Sequence, residues 1–285
     1  MEVLRKLVSK DGSVKYLFKL EDSNTIETLY MHDRNQKLTY QSTVCVSSQV
    51  GCKLGCIYCA TGMQGYVRNL SADEIVQQVS ICNFHYTYSK IPAIDAVVFA
   101  GMGEPLLNYE NVKMAIHKIY SDLGINHFEV VTVGIVPYIH EMIKDFYDKG
   151  IHIRLNISLH ASTNELRKKL IPFTVKYDID AIIRAAVEYA EAFDTKVRMR
   201  YMIFKGLNDT GEDVERLWRL LEDKPIKLII SQYNENNVPG LIPPSHADIL
   251  EFCEKVGKKI DCGTFYNFGN DIKGGCGQLR QHISG

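Results

Sequence analysis

The strongest constraint on the fold is a regular alternation, from residue 41 onward, of apolar segments of strand length with amphipathic segments of helix length. The first strand candidate runs into a cysteine-containing loop, and five more follow at residues 93–100, 128–133, 153–159, 197–204 and 226–231. Helices are indicated near residues 71–82, 112–120, 136–147, 179–193 and 213–221, and a last one follows the N-cap Ser245. Six β/α units in succession predict a parallel barrel or partial barrel.

The alternative for such a pattern is a doubly wound open sheet, which usually carries a glycine-rich phosphate-binding turn after its first strand. The first strand here leads into cysteines instead, and the other polar motifs also follow strands, where barrels place their chemistry. We therefore predict an α/β fold, a partial (β/α)6 TIM-like barrel over residues 41–285. A small β extension over residues 1–40, with strands at 14–20 and 25–31, is expected to cover one barrel end.

Charge and cysteine content limit the possible partners and compartment. The chain of 285 residues has a formal net charge of −1, so a nucleic acid would have to be bound by a local basic patch. Its eight cysteines, without an export signal, favour a reducing cytoplasm over a disulfide framework. No apolar run reaches the roughly 20 residues needed to span a bilayer. We expect a cytoplasmic monomer that makes no membrane contact.

Three cysteines, Cys52, Cys56 and Cys59, form a C-x3-C-x2-C loop with an aromatic residue, Tyr58, before the last thiol. Four thiolates saturate an iron–sulfur cube, whereas three leave one iron open to a substrate or cofactor. The alternative is a structural zinc site, but such sites usually combine two C-x2-C halves, and no second one follows. The spacing therefore predicts an open, catalytic [4Fe–4S] cluster.

A glycine-rich turn with a carboxylate, Gly103-Glu104, follows the second strand. Glycine allows close approach of a ligand, and a carboxylate accepts hydrogen bonds from an ammonium group. A tight turn with a solvated glutamate is the alternative. The position at a strand end favours ligand binding.

Further polar residues follow the fourth and sixth strands. Ser158 and His160 occupy alternate positions, which would point both into the barrel mouth, although a hydrogen-bonded core histidine is the ordinary alternative. Asn234, after the sixth strand, is a weak signal because asparagine is common there. The three cationic residues at 167–169 are expected to lie on a solvated helix face, and the alternative is that they contact RNA phosphates. Arg198 and Arg200, which share one face of the fifth strand, leave the same two alternatives open.

Cys276 lies between glycines near the C-terminus. Glycine-rich surroundings give a thiol access to reaction partners, whereas a structural cysteine is more typical of an apolar run, as at Cys253. Glu27 lies on a predicted strand of the β extension, where a glutamate is usually solvated.

The C-x3-C-x2-C loop with its aromatic residue resembles the signature of radical S-adenosylmethionine (SAM) enzymes. The flanking run Cys45–Cys52, the segment Thr61–Gly65 and the sequence Cys-Gly-Gln-Leu at 276–279 further resemble the RlmN/Cfr family. That family methylates an adenine of 23S ribosomal RNA and, for some members, of transfer RNA. The resemblance extends from about residue 14 to residue 280 and implies a partial barrel of the radical SAM type.

The resemblance also implies a role for each matching residue. The cluster would be held by Cys52, Cys56 and Cys59, and SAM would be bound by Gly103, Glu104, Ser158, His160 and Asn234. The catalytic residues would be Cys276, Cys45 and Glu27. Family members usually carry serine where this chain has Val131, so that contact is not carried over, although Thr132 is a weak substitute.

The implied reaction uses two SAM molecules per turnover. One methylates Cys276, and the other is cleaved at the cluster to a 5′-deoxyadenosyl radical that takes hydrogen from this methyl group. The carbon radical adds to C2 or C8 of adenine, Glu27 removes the ring proton, and Cys45 releases the product by forming a disulfide with Cys276. An external electron donor is required. Family members usually carry an additional N-terminal helical domain that helps bind RNA, which this chain is expected to lack.

Two other functions remain open from the residues. The same two-cysteine chemistry could serve a peptide or a small heteroaromatic substrate. A non-catalytic module that binds zinc through its cysteines represents a different class of protein.

Overall fold

The computed structural model describes residues 1–33, 40–87, 93–265 and 267–279. Its strands are β1 (Glu2–Val8), β2 (Val14–Lys19), β3 (Thr25–His32), β4 (Ser42–Val46), β5 (Gln49–Gly51), β6 (Tyr66–Asn69), β7 (Ala96–Phe99), β8 (His127–Thr132), β9 (His152–Ser158), β10 (Val197–Ile203), β11 (Ile226–Gln232) and β12 (Cys262–Thr264). Within these ranges, one ten-stranded sheet has the order β1-β2-β3-β4-β7-β8-β9-β10-β11-β12. The remaining pair, β5 and β6, forms a separate hairpin.

The parallel part of the sheet runs from β4 to β12, with every neighbouring pair parallel. The helices are α1 (Ala60–Met63), α2 (Ala72–Thr87), α3 (Tyr109–Leu123), α4 (Val136–Phe146), α5 (Asn164–Leu170), α6 (Ile179–Ala192), α7 (Gly211–Leu221) and α8 (His246–Val256). The predicted α/β partial barrel is confirmed, with β12 as a further short strand. Within the described ranges, no helix combines the length and apolar character needed to cross a membrane.

The N-terminal extension continues the barrel sheet. Strands β1 to β3 are antiparallel, and β3 pairs with β4 so that Leu29 lies opposite Cys45. The predicted strands at 14–20 and 25–31 are confirmed as β2 and β3. Because the sheet passes from β3 into β4 without a break, the division at residues 40 and 41 stays a prediction.

The two faces of the parallel strands differ in polarity. On the outer face, Tyr201 stacks on Phe252 of α8 with ring centroids 5.7 Å apart. Side chains alternate along a strand, so Arg200 faces the barrel interior. There, Glu129 accepts a hydrogen bond from Arg154 at 2.7 Å. The outer face therefore supplies the apolar core, and the inner face is polar.

The turn between β1 and β2 contacts the segment that precedes Cys276, and we call these contacts the N-terminal clasp. Ser9 donates to Asp271 at 2.5 Å, and the amide of Gly269 donates to Asp11 at 2.7 Å. Lys15 donates to the carbonyl of residue 273 at 3.3 Å. The extension thus holds the C-terminal segment in addition to covering the sheet edge.

Candidate active site

The cysteine loop is closed at its base by the β5–β6 hairpin. The amide of Cys52 donates to the carbonyl of Gly65 at 2.8 Å. Gly51 has a φ of +74°, and a Cβ there would lie 2.0 Å from the same carbonyl. Only glycine fits this crossing, because any side chain would force the two ends of the loop apart.

The three loop thiols are close enough to influence one another electrostatically. Burial raises the pKa of Cys56 well above its ordinary value, and Cys59 and Cys52 raise it further. Among the described residues, no three His, Cys, Asp or Glu side chains are close enough to bind a single metal ion. In a [4Fe–4S] cluster each thiolate binds a different iron atom, and three neighbouring cysteines supply thiols for three of the four irons. The donor set therefore fits a [4Fe–4S] cluster.

Glu104, just after β7, is buried rather than solvated. Its two carboxylate oxygens accept hydrogen bonds from the amides of Leu106 and Val133, each at 3.0 Å. Burial raises the pKa of Glu104 to about 7, although hydrogen bonds from Thr132, Val133 and Leu106 act in the opposite direction. The alternative of a solvated turn glutamate is wrong, because the end of β8 encloses the carboxylate.

Gly103 places this carboxylate above the cysteine loop. Its φ is +102°, and a Cβ at this position would lie 2.6 Å from Cβ of Gln49. Gln49 in turn accepts a hydrogen bond from the amide of Glu104 at 3.0 Å. Burial raises the pKa of both Cys52 and Cys56, and the nearby Glu104 carboxylate raises it further. Sequence reasoning missed Gln49, since a glutamine in a short strand carries no distinctive signal.

His160 is a neutral, buried side chain beneath the cysteine loop. Its Nδ1 accepts a hydrogen bond from the amide of Met202 at 3.0 Å, and its ring meets Tyr58 edge-on with centroids 5.2 Å apart. Burial, aided by Arg167 and Arg200, lowers the pKa of His160 to about 3.

Ser158 does not share the environment of His160. Strand β9 ends at Ser158, and His160 has a φ of +55°, so strand alternation does not extend to the histidine. Ser158 is half-buried, whereas His160 is buried. Contacts of both residues with SAM stay predictions.

Arg167 corrects the prediction of a solvated cation cluster at 167–169. Only 1% of its surface is exposed, and Nη2 donates to the carbonyls of Val133 at 2.6 Å and Ser158 at 2.9 Å. Nε donates to the carbonyl of Leu159 at 3.2 Å. Helix α5 directs this side chain inward, where the last carbonyls of β8 and β9 need hydrogen-bond donors. Lys168 and Lys169 are exposed, as predicted.

The segment that carries Cys276 is docked on the cysteine loop. The carbonyl of Gly277 accepts a hydrogen bond from the amide of Ala60 at 2.8 Å. The Asn236 amide group donates to the carbonyls of Tyr58 at 2.9 Å and Gly277 at 3.0 Å. One side chain therefore joins the two segments, and we call it the Asn236 bridge. No sequence signal distinguished Asn236 from the adjacent Asn237.

Cys45 and Cys276 are brought together beside the cysteine loop. Burial raises the pKa of Cys45 to about 12, and the nearby Cys276 thiol raises it further. Burial of the thiol also raises the pKa of Cys276, whereas Arg200 lowers it and Cys59 raises it further. The residue as a whole keeps an exposed surface. All eight cysteines are free thiols.

Asn234 is placed against the backbone of Cys276. Its Nδ2 donates to the Cys276 carbonyl at 3.1 Å, and its Oδ1 accepts from Gln232 at 3.1 Å and Asn267 at 3.2 Å. The structure thus links Asn234 to the Cys276 segment. Its predicted hydrogen bond to SAM stays a prediction.

Glu27 lies in a closed environment beneath the C-terminal segment. It is 3% exposed and forms an ion pair with Lys15 at 3.1 Å. Lys15 also contacts the carbonyl of residue 273. The alternative of a solvated strand glutamate is wrong, because the N-terminal clasp and the neighbouring strands exclude solvent from it.

The fold and the cysteine loop together define a radical SAM enzyme, and the family model of the Radical SAM superfamily matches residues 46–221. A probable dual-specificity RNA methyltransferase RlmN of Dictyoglomus turgidum is 39% identical over 96% of this chain and 77% of its own. A protein of the same name from Thermotoga neapolitana is 38% identical over 98% of this chain and 79% of its own. The crystal structure of a radical SAM methyltransferase from Sphaerobacter thermophilus superposes with a TM-score of 0.90 at 32% identity, covering 98% of this chain and 81% of that one. The chain therefore belongs to the RlmN family of radical SAM methyltransferases.

Family membership carries two consequences for the site. The chain is an enzyme, so the non-catalytic zinc module is excluded. Radical SAM enzymes use a [4Fe–4S] cluster and SAM, which agrees with the thiol arrangement of the loop.

Proposed function

We propose that the enzyme methylates an sp2 carbon, C2 or C8, of an adenine in RNA, with 23S ribosomal RNA as the substrate, through a methyl group carried by Cys276. The observation that carries this proposal is the docking of the Cys276 segment on the cysteine loop, with Cys45 beside it. A methyl carrier is useful only if it lies next to the group that activates it. The relatives named as RNA methyltransferases support the substrate class.

In the first half of the reaction, the thiolate of Cys276 accepts a methyl group from one SAM molecule. A carbon–sulfur bond forms, the sulfonium bond breaks, and S-adenosylhomocysteine leaves. The cluster, held by the three loop cysteines, and a second SAM molecule supply the one-electron chemistry that activates this methyl group. Glu104, with Gly103, binds the ammonium group of SAM, and Ser158, His160 and Asn234 complete its site. An external donor supplies the electron.

In the second half, the methyl carbon on Cys276, having lost a hydrogen atom to the 5′-deoxyadenosyl radical, forms a bond to the adenine carbon. The unpaired electron left on the ring would return to the cluster, and the carboxylate of Glu27 accepts the proton that leaves the ring. The thiolate of Cys45 then attacks the sulfur of Cys276. The electron pair of the carbon–sulfur bond goes to the carbon, which takes up a proton and becomes the methyl group of the product. A disulfide joins Cys45 and Cys276 until an external dithiol reduces it.

The test uses reconstituted enzyme, methyl-labelled SAM and a ribosomal RNA fragment that contains the target adenine. We expect label in the RNA with wild-type enzyme, no label with Cys276→Ala and a protein–RNA crosslink with Cys45→Ala. Cys82→Ala is the matched control, because Cys82 is buried in α2, outside the cysteine loop and the C-terminal segment. Label that reaches Cys276 but never RNA would instead indicate a peptide or small heteroaromatic substrate.

A further inference from the structure

Arg167 is the largest fully buried side chain of the described residues, and one of its nitrogens is unsatisfied. Nε and Nη2 donate to three carbonyls at the ends of β8 and β9. Nη1 is buried and has no hydrogen-bond partner within the described part of the chain. Buried polar groups are nearly always paired, so a lone buried donor indicates a partner that the described residues do not supply.

The charge of Arg167 is also unbalanced. Among the ion pairs of the described residues, none joins a carboxylate to this guanidinium. Burial of an unpaired cation is unfavourable, and carbonyl dipoles offset only part of that cost. Burial lowers the pKa of Arg167 to about 10, and the group remains a cation near neutral pH.

The cysteine loop lies close to this cation. Tyr58 and Cys56 both act to raise the pKa of Arg167, which opposes the effect of burial. The loop is tied to the same helix, because the amide of Ile57 donates to the carbonyl of Leu170 at 3.1 Å. Arg167 thus lies directly behind the residues that the cluster requires.

We propose that Arg167 is the counter-cation of the iron–sulfur cluster, with Nη1 donating a hydrogen bond to a cluster sulfur. The inference rests on Cys52, Cys56 and Cys59 being the cluster ligands. Three thiolates give the cluster site a negative charge, which supplies the anion that Arg167 lacks. Charge and hydrogen bonds at the sulfurs set the reduction potential of such clusters. Arg167 is therefore a positioning and tuning residue, since it acts through the cluster.

The expected effect is on the reduction potential. A nearby cation stabilises the more negative, reduced cluster, so its removal makes the midpoint potential more negative. We expect Arg167→Gln to lower the equilibrium constant for reduction about tenfold, which for a one-electron couple is 59 mV. Arg167→Lys keeps the charge but loses the planar fork of donors, and a smaller shift in the same direction is expected.

The measurement is an anaerobic redox titration of the reconstituted enzyme, without SAM or RNA, followed by electron paramagnetic resonance. Lys168→Gln is the matched control, because it removes one cation from the same helix at an exposed position where solvent screens it. Iron and sulfide content and the unfolding temperature show whether each variant is intact. A wild-type protein that assembles no cluster would refute the ligand assignment itself, whereas a cluster-loaded Arg167→Gln with an unchanged potential would refute only the role of Arg167.

A second measurement needs no folded Arg167→Gln variant. In wild-type enzyme labelled with 15N-arginine, pulsed electron paramagnetic resonance of the reduced cluster should show a 15N coupling that disappears in Arg167→Lys. Absence of this coupling in the wild type overturns the proposal. Weaker SAM binding by Arg167→Gln at an unchanged potential also overturns it, because Nη1 would then serve the carboxylate of SAM.

Discussion

The proposed contact of Glu104 with SAM makes cofactor binding depend on pH. The folded-state pKa of Glu104 is about 7 and lies above the ordinary glutamate value of 4.5, because burial disfavours the ionised form. The neutral form stabilises the free protein below the unfolded pKa, and this contribution is lost as pH rises through about 7. An ammonium group, in contrast, needs the ionised carboxylate, so binding of SAM should release a proton at pH values below 7.

We therefore predict that the affinity of the cluster-loaded enzyme for SAM rises about tenfold between pH 6 and pH 8, since one pKa unit corresponds to a factor of ten. The Glu104→Gln variant should not show this rise in affinity and should bind SAM weakly at both pH values. Anaerobic titration calorimetry measures the affinity, and Glu215→Gln, at an exposed position on α7, is the control. An equally steep pH dependence in Glu104→Gln would contradict the assignment.

Substitution of Gly103 tests how much a close contact with Gln49 lowers stability beyond the effect of backbone strain. Gly103→Ala places a Cβ 2.6 Å from Gln49 at a φ of +102°, whereas Gly124→Ala, at +68°, meets nothing within 4 Å. We expect Gly124→Ala to lower the free energy of unfolding by about 1 kcal/mol through strain alone, and Gly103→Ala by about 2–4 kcal/mol. Thermal or urea unfolding measures both. Equal losses would show that the contact with Gln49 has no energetic role.

The residue types in the sequence predicted the chemistry of the site better than they predicted the burial of individual side chains. The cysteine spacing and the Gly103-Glu104 turn were recognisable because few other residues can perform those tasks. Arg167 and Glu27 were assigned a solvated alternative because charged side chains are usually exposed. Their burial depends on partners far away in the sequence, such as the carbonyl of Val133, which no local pattern reveals.

At the scale of elements, the Asn236 bridge sets the separation between the cysteine loop and the Cys276 segment. Its side-chain amide group donates to carbonyls of both segments. An aspartate of the same shape has no donor and would repel both carbonyls. The segments would then be held together by fewer contacts, including the bond from Ala60 to Gly277.

We predict that Asn236→Asp uncouples cofactor cleavage from methylation. A displacement of 1 Å can cost about a hundredfold in rate, so the ratio of 5′-deoxyadenosine to methylated product should rise at least about tenfold. Product analysis by mass spectrometry gives this ratio. Asn237→Asp makes the same change at an exposed neighbouring residue and should leave the ratio at its wild-type value; an unchanged ratio in Asn236→Asp would count against the bridge.

Long elements were predictable, and short ones were not. Strands β8 to β11 begin and end within one residue of the predicted segments, because buried parallel strands read as continuous apolar runs. Strand β12 has three residues and α5 has seven, lengths at which local preference decides little. These short elements form through tertiary contacts, such as the pairing of Cys262 with Leu228.

At the scale of the whole molecule, the N-terminal clasp connects the two ends of the described chain. We predict that Asp11→Ala, which removes the acceptor for the Gly269 amide, lowers the protection of residues 269–277 against hydrogen exchange by about 1 kcal/mol. Methyl transfer to Cys276 should slow in parallel. Asp209→Ala is the matched control, since Asp209 accepts a similar bond from the Gly206 amide at 2.8 Å. Unchanged exchange over 269–277 would show that the clasp does not hold the segment.

The docking of the Cys276 segment also imposes an order of assembly during translation. Thr61, beside the cysteine loop, bonds to Leu279, which lies 218 residues later in the chain. The cysteine loop therefore leaves the ribosome long before the Cys276 segment that docks on it. Iron and sulfide can therefore reach the cysteine loop before the Cys276 segment emerges and covers it.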